Sequence, residues 1–134
     1  MRCGAVCARF NAARYYTLLG MSATSQAPGR SRVVLPFRDE LTQLYGGVHG
    51  GALLSLADAA LSIALATTFE GDETTATVDV SMSFLAPVGR RDVEAEGALT
   101  RRGRTMAFAE CVLRAGADEV ARAKGILYVS RSKP

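Results

Sequence analysis

One acid stands in the middle of the most apolar stretch of this 134-residue chain, YGGVHGGALLSLADAALSIALATTF, residues 45–69. Taking an ionised Asp58 out of water there costs on the order of several kcal/mol unless a partner holds the carboxylate or chemistry uses it. At about 100° per residue of helix, Ser55, Asp58 and Ser62 fall within about 60° of one another, so the polar groups form one narrow stripe that must face a cleft or a partner. A carboxylate held in a cleft has the chemistry to act as a general base or a nucleophile, or to pair with a partner's charge. Two turns earlier, Gly50 and Gly51 open the same helix with amide groups that no side chain covers, at an end that is electropositive. The stretch therefore pairs an anion-stabilising tip with a carboxylate. The competing reading is a solvated acid, but Leu53, Leu54, Leu56, Leu61, Ile63 and Leu65 leave little room for a broad wet face. His49, the only histidine, sits where the loop meets the helix start, and orienting that loop or capping the helix is favoured over proton transfer.

The elements that hold these groups follow from the patterning of the rest. Residues 1–9 read as a flexible tail, and 10–134 as a single domain. Phe10, Arg14, Tyr15 and Leu18 have helical spacing over 10–19, and Gly20 is a natural stop. SATSQAPGR is a turn or loop, after which Val33, Leu35 and Phe37 alternate with Arg32, Val34 and Pro36 as a strand. Residues 39–47 form the loop into the central helix. Beyond the turn EGDETT, residues 75–85 alternate as a strand, Val78, Val80, Met82 and Phe84 on one side and Thr77, Asp79, Ser81 and Ser83 on the other. Further strands are expected over 92–99, 105–114 and 120–130, joined by short links that make neighbours antiparallel. The result is an α+β fold in which a curved antiparallel sheet wraps one long central helix. Five short strands cover such a helix on one side only, so a second copy of the chain is the economical cover for the polar stripe.

Composition narrows the function classes. The net charge of +3 comes from arginines spread along the chain, which does not suit nucleic acid. No apolar run reaches the length of a membrane span, because Ser55, Asp58 and Ser62 interrupt the best candidate. Cys3, Cys7 and Cys111 with a single histidine do not make a metal set, and they fit a reducing cytoplasm.

VHGGALLSLADAA followed by TVDVSMSFLAPV resembles the hot-dog-fold acyl-CoA thioesterases, in the branch of the phenylacetic-acid-pathway and 4-hydroxybenzoyl-CoA thioesterases. The resemblance implies hydrolysis of an aryl- or medium-chain acyl-CoA to free acid and CoA, with no cofactor beyond the CoA of the substrate. It also implies a homodimer with one continuous sheet, commonly paired again into a homotetramer. By the same resemblance Asp58 takes the catalytic carboxylate position, and the Gly50 N–H polarises the thioester carbonyl with Gln43 contributing from the preceding loop. Ser62 helps hold the water, and Thr77 borders the site. His49 and Gly51 flank the helix tip. Arginine matches phosphate geometry, which makes Arg90, Arg91, Arg102 and Arg104 candidates for the CoA phosphates; the turn from Arg102 to Thr105 is preferred. Two alternatives stand beside this reading. An enoyl-CoA hydratase of the same fold pairs an Asp with a His at the helix start, whereas His49 has Asp39 and Glu40 as its nearest preceding acids. A non-catalytic acyl-CoA-binding module would need no acid at position 58.

Overall fold

The computed structural model describes residues 2–131. In chain order it holds helices α1 (Arg2–Asn11) and α2 (Arg14–Leu19), strands β1 (Ser22–Thr24) and β2 (Arg30–Leu35), a short 3-10 turn at Asp39–Leu41, helix α3 (Gly50–Ala66), and strands β3 (Glu73–Phe84), β4 (Val93–Arg102), β5 (Met106–Ala115) and β6 (Asp118–Arg131). The six strands form one antiparallel sheet in the order β1-β2-β4-β5-β6-β3. It curls around α3, as the apolar patterning of that helix requires.

Helix α3 is about 25 Å long at 1.5 Å per residue. Leu56, Ala57, Ala60, Leu61, Ile63, Ala64 and Leu65 are fully enclosed. The alanines let the sheet approach closely, and Gly97 of β4 completes the contact. A Cβ built there would lie 2.5 Å from both the Ala60 carbonyl oxygen and Ser31 Oγ. No side chain fits, and Ser31 instead donates its hydroxyl to that carbonyl at 2.6 Å. Gly125 of β6 makes a second close approach, under Leu61.

Three features differ from the expectations above. Residues 2–9 are helical rather than a loose tail: α1 buries Cys3 and Cys7, and burial, followed by the neighbouring Cys3, pushes the Cys7 thiol up. The helix expected over 10–19 is split at Ala12 and Ala13, and Asn11, the last residue of α1, clamps β1, donating to the Ala23 carbonyl at 3.1 Å and accepting from its N–H at 2.7 Å. That clamp makes a three-residue strand out of part of a segment expected as loop. Gly20 does end α2, in the left-handed conformation at φ 80°.

The third difference lies in β3. Thr77 pairs with Leu127 and Asp79 with Ile126, so Val78 is an extra residue in a β-bulge. The bulge shifts the strand's phase. Directly paired residues share a face, and Leu127, Gly125 and Ala123 lie against the core, so Thr77, Val80 and Met82 all face α3. The clean alternation that put Thr77 opposite Val80 therefore fails at one residue, and Val78, expected on the same side as Val80, is 59% exposed.

Glu73 opens β3 as a buried ionic node. Its carboxylate accepts from the Glu70 N–H at 3.0 Å, from Arg102 at 2.6 Å and from Arg131 at 2.8 Å. The Glu70 amide, then the two guanidinium groups, hold its pKa below the usual carboxylate range against the opposing effect of burial. A carboxyl whose pKa falls on folding contributes stability that is full above its unfolded pKa and is lost as pH falls through the folded value. Glu73→Gln is therefore expected to lose about 2 kcal/mol near pH 7, and the gap to wild type should close as pH drops below about 4. Urea unfolding at the two pH values measures it.

Candidate active site

Helix α3 presents its polar stripe to α1, α2 and β3. Ser55 bonds the Tyr15 hydroxyl at 2.8 Å and donates back to the Gly51 carbonyl at 3.1 Å. Asp58, half-buried one turn on, accepts a 2.7 Å hydrogen bond from Thr77 Oγ1 on its Oδ1. Thr77 faces it because its partner on β6, Leu127, lies in the core, and the bulge at Val78 keeps Val80 and Met82 on that same face. Thr77 orients one carboxylate oxygen and leaves Oδ2 for another donor. Burial, and then the Asp58 charge, push the Tyr16 phenol up, so Tyr16 stays protonated beside the carboxylate.

Asp58 opens onto two cavities. One, of about 480 Å³, runs along α3 toward its C-terminal end past Ser62 and is walled by Phe10, Tyr16, Phe69 and Thr75. The other, of about 380 Å³, runs the opposite way past Leu54, Tyr15 and Val80. Much of the first wall comes from α1 and the start of α2.

At the other end of α3, His49 is the N-cap. Its Nδ1 accepts from the Gly51 N–H at 2.7 Å, as the favoured structural reading expects. The Gly51 amide is thereby occupied, whereas the Gly50 N–H has no hydrogen-bond acceptor among the described residues. A Cβ on Gly50 would meet the Phe84 ring at 3.3 Å, a contact that the ring must give way to by a few tenths of an ångström. Gln43 shares a cleft of about 560 Å³ with Gly50, Tyr45 and Phe84. Its Oε1 is held by the Tyr45 N–H, which leaves the Nε2 group as the free donor facing Gly47.

The arginine candidates separate. Arg90 braces the loop that carries Gln43: it bonds Asp39 at 2.6 Å and the Gly46 carbonyl at 3.4 Å, and stacks on Phe37 with its guanidinium carbon 4.6 Å from the ring centre. Arg91 is committed to Asp118 and the Val88 carbonyl, and Arg102 to Glu73, Thr68 and the Gly103 carbonyl. Arg104 and Thr105 instead border an open hollow with Arg101, Met106 and Phe108, and neither Arg101 nor Arg104 has an ion-pair partner among the described residues. Sequence spacing groups these arginines, but the acidic partners of Arg90, Arg91 and Arg102 lie 51, 27 and 29 residues away, where local patterning gives no signal.

A carboxylate on an apolar helix, wrapped by a curved antiparallel sheet, defines a class of structure: the hot-dog fold. The chain belongs to the thioesterase superfamily, whose family model matches residues 45–121. It is 32% identical over 122 residues to a Pseudomonas aeruginosa protein named provisionally as an esterase, covering 90% of this chain and 91% of that one. Among solved structures, a thioesterase family protein from Silicibacter pomeroyi superposes with a TM-score of 0.91 at 23% identity, over 98% of this chain and 100% of that one. A mutant form of the phenylacetic acid degradation protein PaaI from Thermus thermophilus gives a TM-score of 0.79 at 26% identity, covering 87% and 98%. The PaaI neighbours support the expected branch, and membership in the superfamily supports thioester hydrolysis in general. No helix among the described residues is long and apolar enough to cross a membrane.

If His49 serves as a cap, His49→Ala uncovers the Gly51 amide and lowers unfolding free energy by about 1 kcal/mol. Denaturant titration reads this directly; unchanged stability would return His49 to the list of chemical groups.

Proposed function

We propose that the protein is an acyl-CoA thioesterase whose active site is shared between two copies of the chain, releasing CoA and a free aryl or medium-chain acid. The observation that carries this reading is the separation of two chemically complementary groups on one helix. Gly50 and Asp58 are eight residues apart, which is about 12 Å along the axis and about 80° around it. One thioester carbonyl cannot touch both, so the two halves are useful only if a second α3 supplies what the first lacks.

The exposed apolar groups support the pairing. Leu44, Tyr45, Leu54, Val78, Phe84 and Leu85 are each more than 40% exposed. They gather about the free edge of β3 and the start of α3, where a second copy adding its own β3 would continue the sheet and cover them.

In the proposed site the Gly50 N–H and Gln43 Nε2 of one copy receive the thioester oxygen. A water held by Ser62 and the free Oδ2 of Asp58 from the other copy attacks the carbon. Asp58 takes the proton, negative charge passes to the carbonyl oxygen, and collapse of the tetrahedral intermediate breaks the C–S bond and expels the CoA thiolate, which is then protonated. Occupation of one Asp58 oxygen by Thr77 favours this over direct attack by the carboxylate. The His49 cap likewise argues against a hydratase, which would need that imidazole for proton transfer. CoA phosphates fit the hollow at Arg101, Arg104 and Thr105, where the arginines are unpaired.

Asp58→Asn should fold and lose at least about a hundredfold in CoA release; full turnover in that variant removes Asp58 from the reaction. Gln43→Ala should cost about a hundredfold in kcat. Refolding equal amounts of the two variants together should restore about one quarter of the wild-type rate, because half the dimers are mixed and each mixed dimer has one intact site. No restoration means that each chain carries its site alone. Arg104→Ala should raise KM and flatten its dependence on salt; a KM and salt slope like those of wild type exclude this hollow. Acyl-CoA bound at equilibrium without thiol release would identify a binding module instead.

A further inference from the structure

The two cavities that meet at Asp58 have three lining residues in common, Tyr16, Asp58 and Thr77. These ring the neck between the chambers, and each carries a side-chain oxygen. Two of them are committed to one another, since Thr77 Oγ1 donates to Asp58 Oδ1 at 2.7 Å. The Tyr16 hydroxyl has no hydrogen-bond partner among the described residues. Nor is it sealed off, because the one enclosed and unpartnered side-chain oxygen among those residues belongs to Thr75. The adjacent Tyr15 is different: its hydroxyl is spent on Ser55 at 2.8 Å.

The Tyr16 ring is held in place from two sides. Phe10 packs against it with ring centroids 5.7 Å apart and planes tilted by 45°, and the Tyr16 carbonyl accepts from the Met21 N–H at 2.9 Å, just past the Gly20 stop. Burial, and then the nearby Asp58 charge, keep the phenol neutral. It is therefore an O–H donor that keeps its proton even beside a thiolate, because a thiol is the stronger acid.

Hydrolysis of a thioester puts negative charge in two places in turn. The carbonyl oxygen carries it in the tetrahedral intermediate, and in the proposed site Gly50 and Gln43 receive it. The sulfur carries it as the C–S bond breaks, and of the three residues at the neck only Tyr16 has a donor to spare for it. We infer that Tyr16 is a catalytic residue whose O–H donates a hydrogen bond to the thioester sulfur in the neck between the two cavities as the C–S bond breaks. This rests on the thioesterase reading of Asp58. The bonding electron pair leaves with sulfur, the carbon keeps the oxygen of the attacking water, and the proton that Asp58 took from that water passes to the thiolate. Tyr16 stabilises the departing charge and ends with its own proton in place.

The test varies the leaving group while the acyl group, benzoyl or hexanoyl, is held constant. Wild type and Tyr16→Phe are compared on the CoA ester, on the N-acetylcysteamine thioester and on the thiophenyl ester. An alkyl thiolate is a poor leaving group that gains from a donor, whereas the more acidic thiophenol leaves readily without one. Tyr16→Phe should lose about tenfold in kcat on the two alkyl thioesters with KM unchanged, because the bond strengthens only as charge reaches the sulfur. On the thiophenyl ester the variant should stay within about twofold of wild type. Its thermal midpoint should match that of wild type, since the lost hydroxyl had no partner. Equal losses on alkyl and thiophenyl esters, or no loss on any of them, overturn the role of Tyr16 at the sulfur and leave the thioesterase reading standing. Failure of wild type to release thiol from these esters or from any aryl or fatty acyl-CoA overturns both.

Discussion

A carboxylate on a helix that is apolar nearly all round needs a hydrogen-bonding partner, and the 2.7 Å bond from Thr77 to Asp58 supplies it. The rest of the site follows from that bond. Thr77 is aimed at the helix by its pairing with the core residue Leu127, and one extra residue at Val78 changes the strand's phase so that Val80 and Met82 face the helix as well. With regular pleating Thr77 and Val80 could not both face the helix. The bulge has a cost in ladder hydrogen bonds, offset by the long pairing of β3 with β6 on either side of it and by the buried Glu73 node at the strand's start.

Much of this was legible in the sequence, and the exceptions have physical reasons. The central helix could be read because its apolar side chains far outnumber its polar ones, and the Ser55, Asp58, Ser62 stripe because three polar residues at helical spacing stand out against leucine and alanine. The glycine pair marked the helix start, and His49 proved to cap it. Strands β4 to β6 followed from alternation and short turns. The bulge was hidden by an alternation of residue types that looks perfect on paper: Thr77 and Val78 exchange roles without any glycine or proline to mark the place. Helix α1 was hidden because its buried side is made of Cys3 and Cys7 with small residues between them, a weak apolar signal. Strand β1 depends on the side chain of Asn11, 12 residues from Ala23, and no local pattern reports such a clamp.

The N-terminal helices change the chemistry of the site as well as its boundary. By covering Asp58 on one side they convert an open groove into a chamber with aromatic walls, and they place the protonated Tyr16 phenol beside the carboxylate. The arginines show the complementary lesson. Those that share a turn in the sequence have different duties in space, Arg102 and Arg91 tying strands together, Arg90 fixing the Gln43 loop, and Arg104 remaining open to solvent.

Helix α3 works as a ruler with an angular scale. Its amide tip and its acid are set apart by a fixed count of residues, and the close seat of Ala60 on Gly97 prevents the rod from sliding or turning to compensate for an error. Inserting one residue between Gly50 and Asp58 would swing the carboxylate by about 100°, off the Thr77 hydroxyl and into the packed surface of the sheet. Length variation among descendants of this chain is therefore confined to the loops that enter and leave the helix, while the seventeen residues of the rod itself can change in kind but not in number.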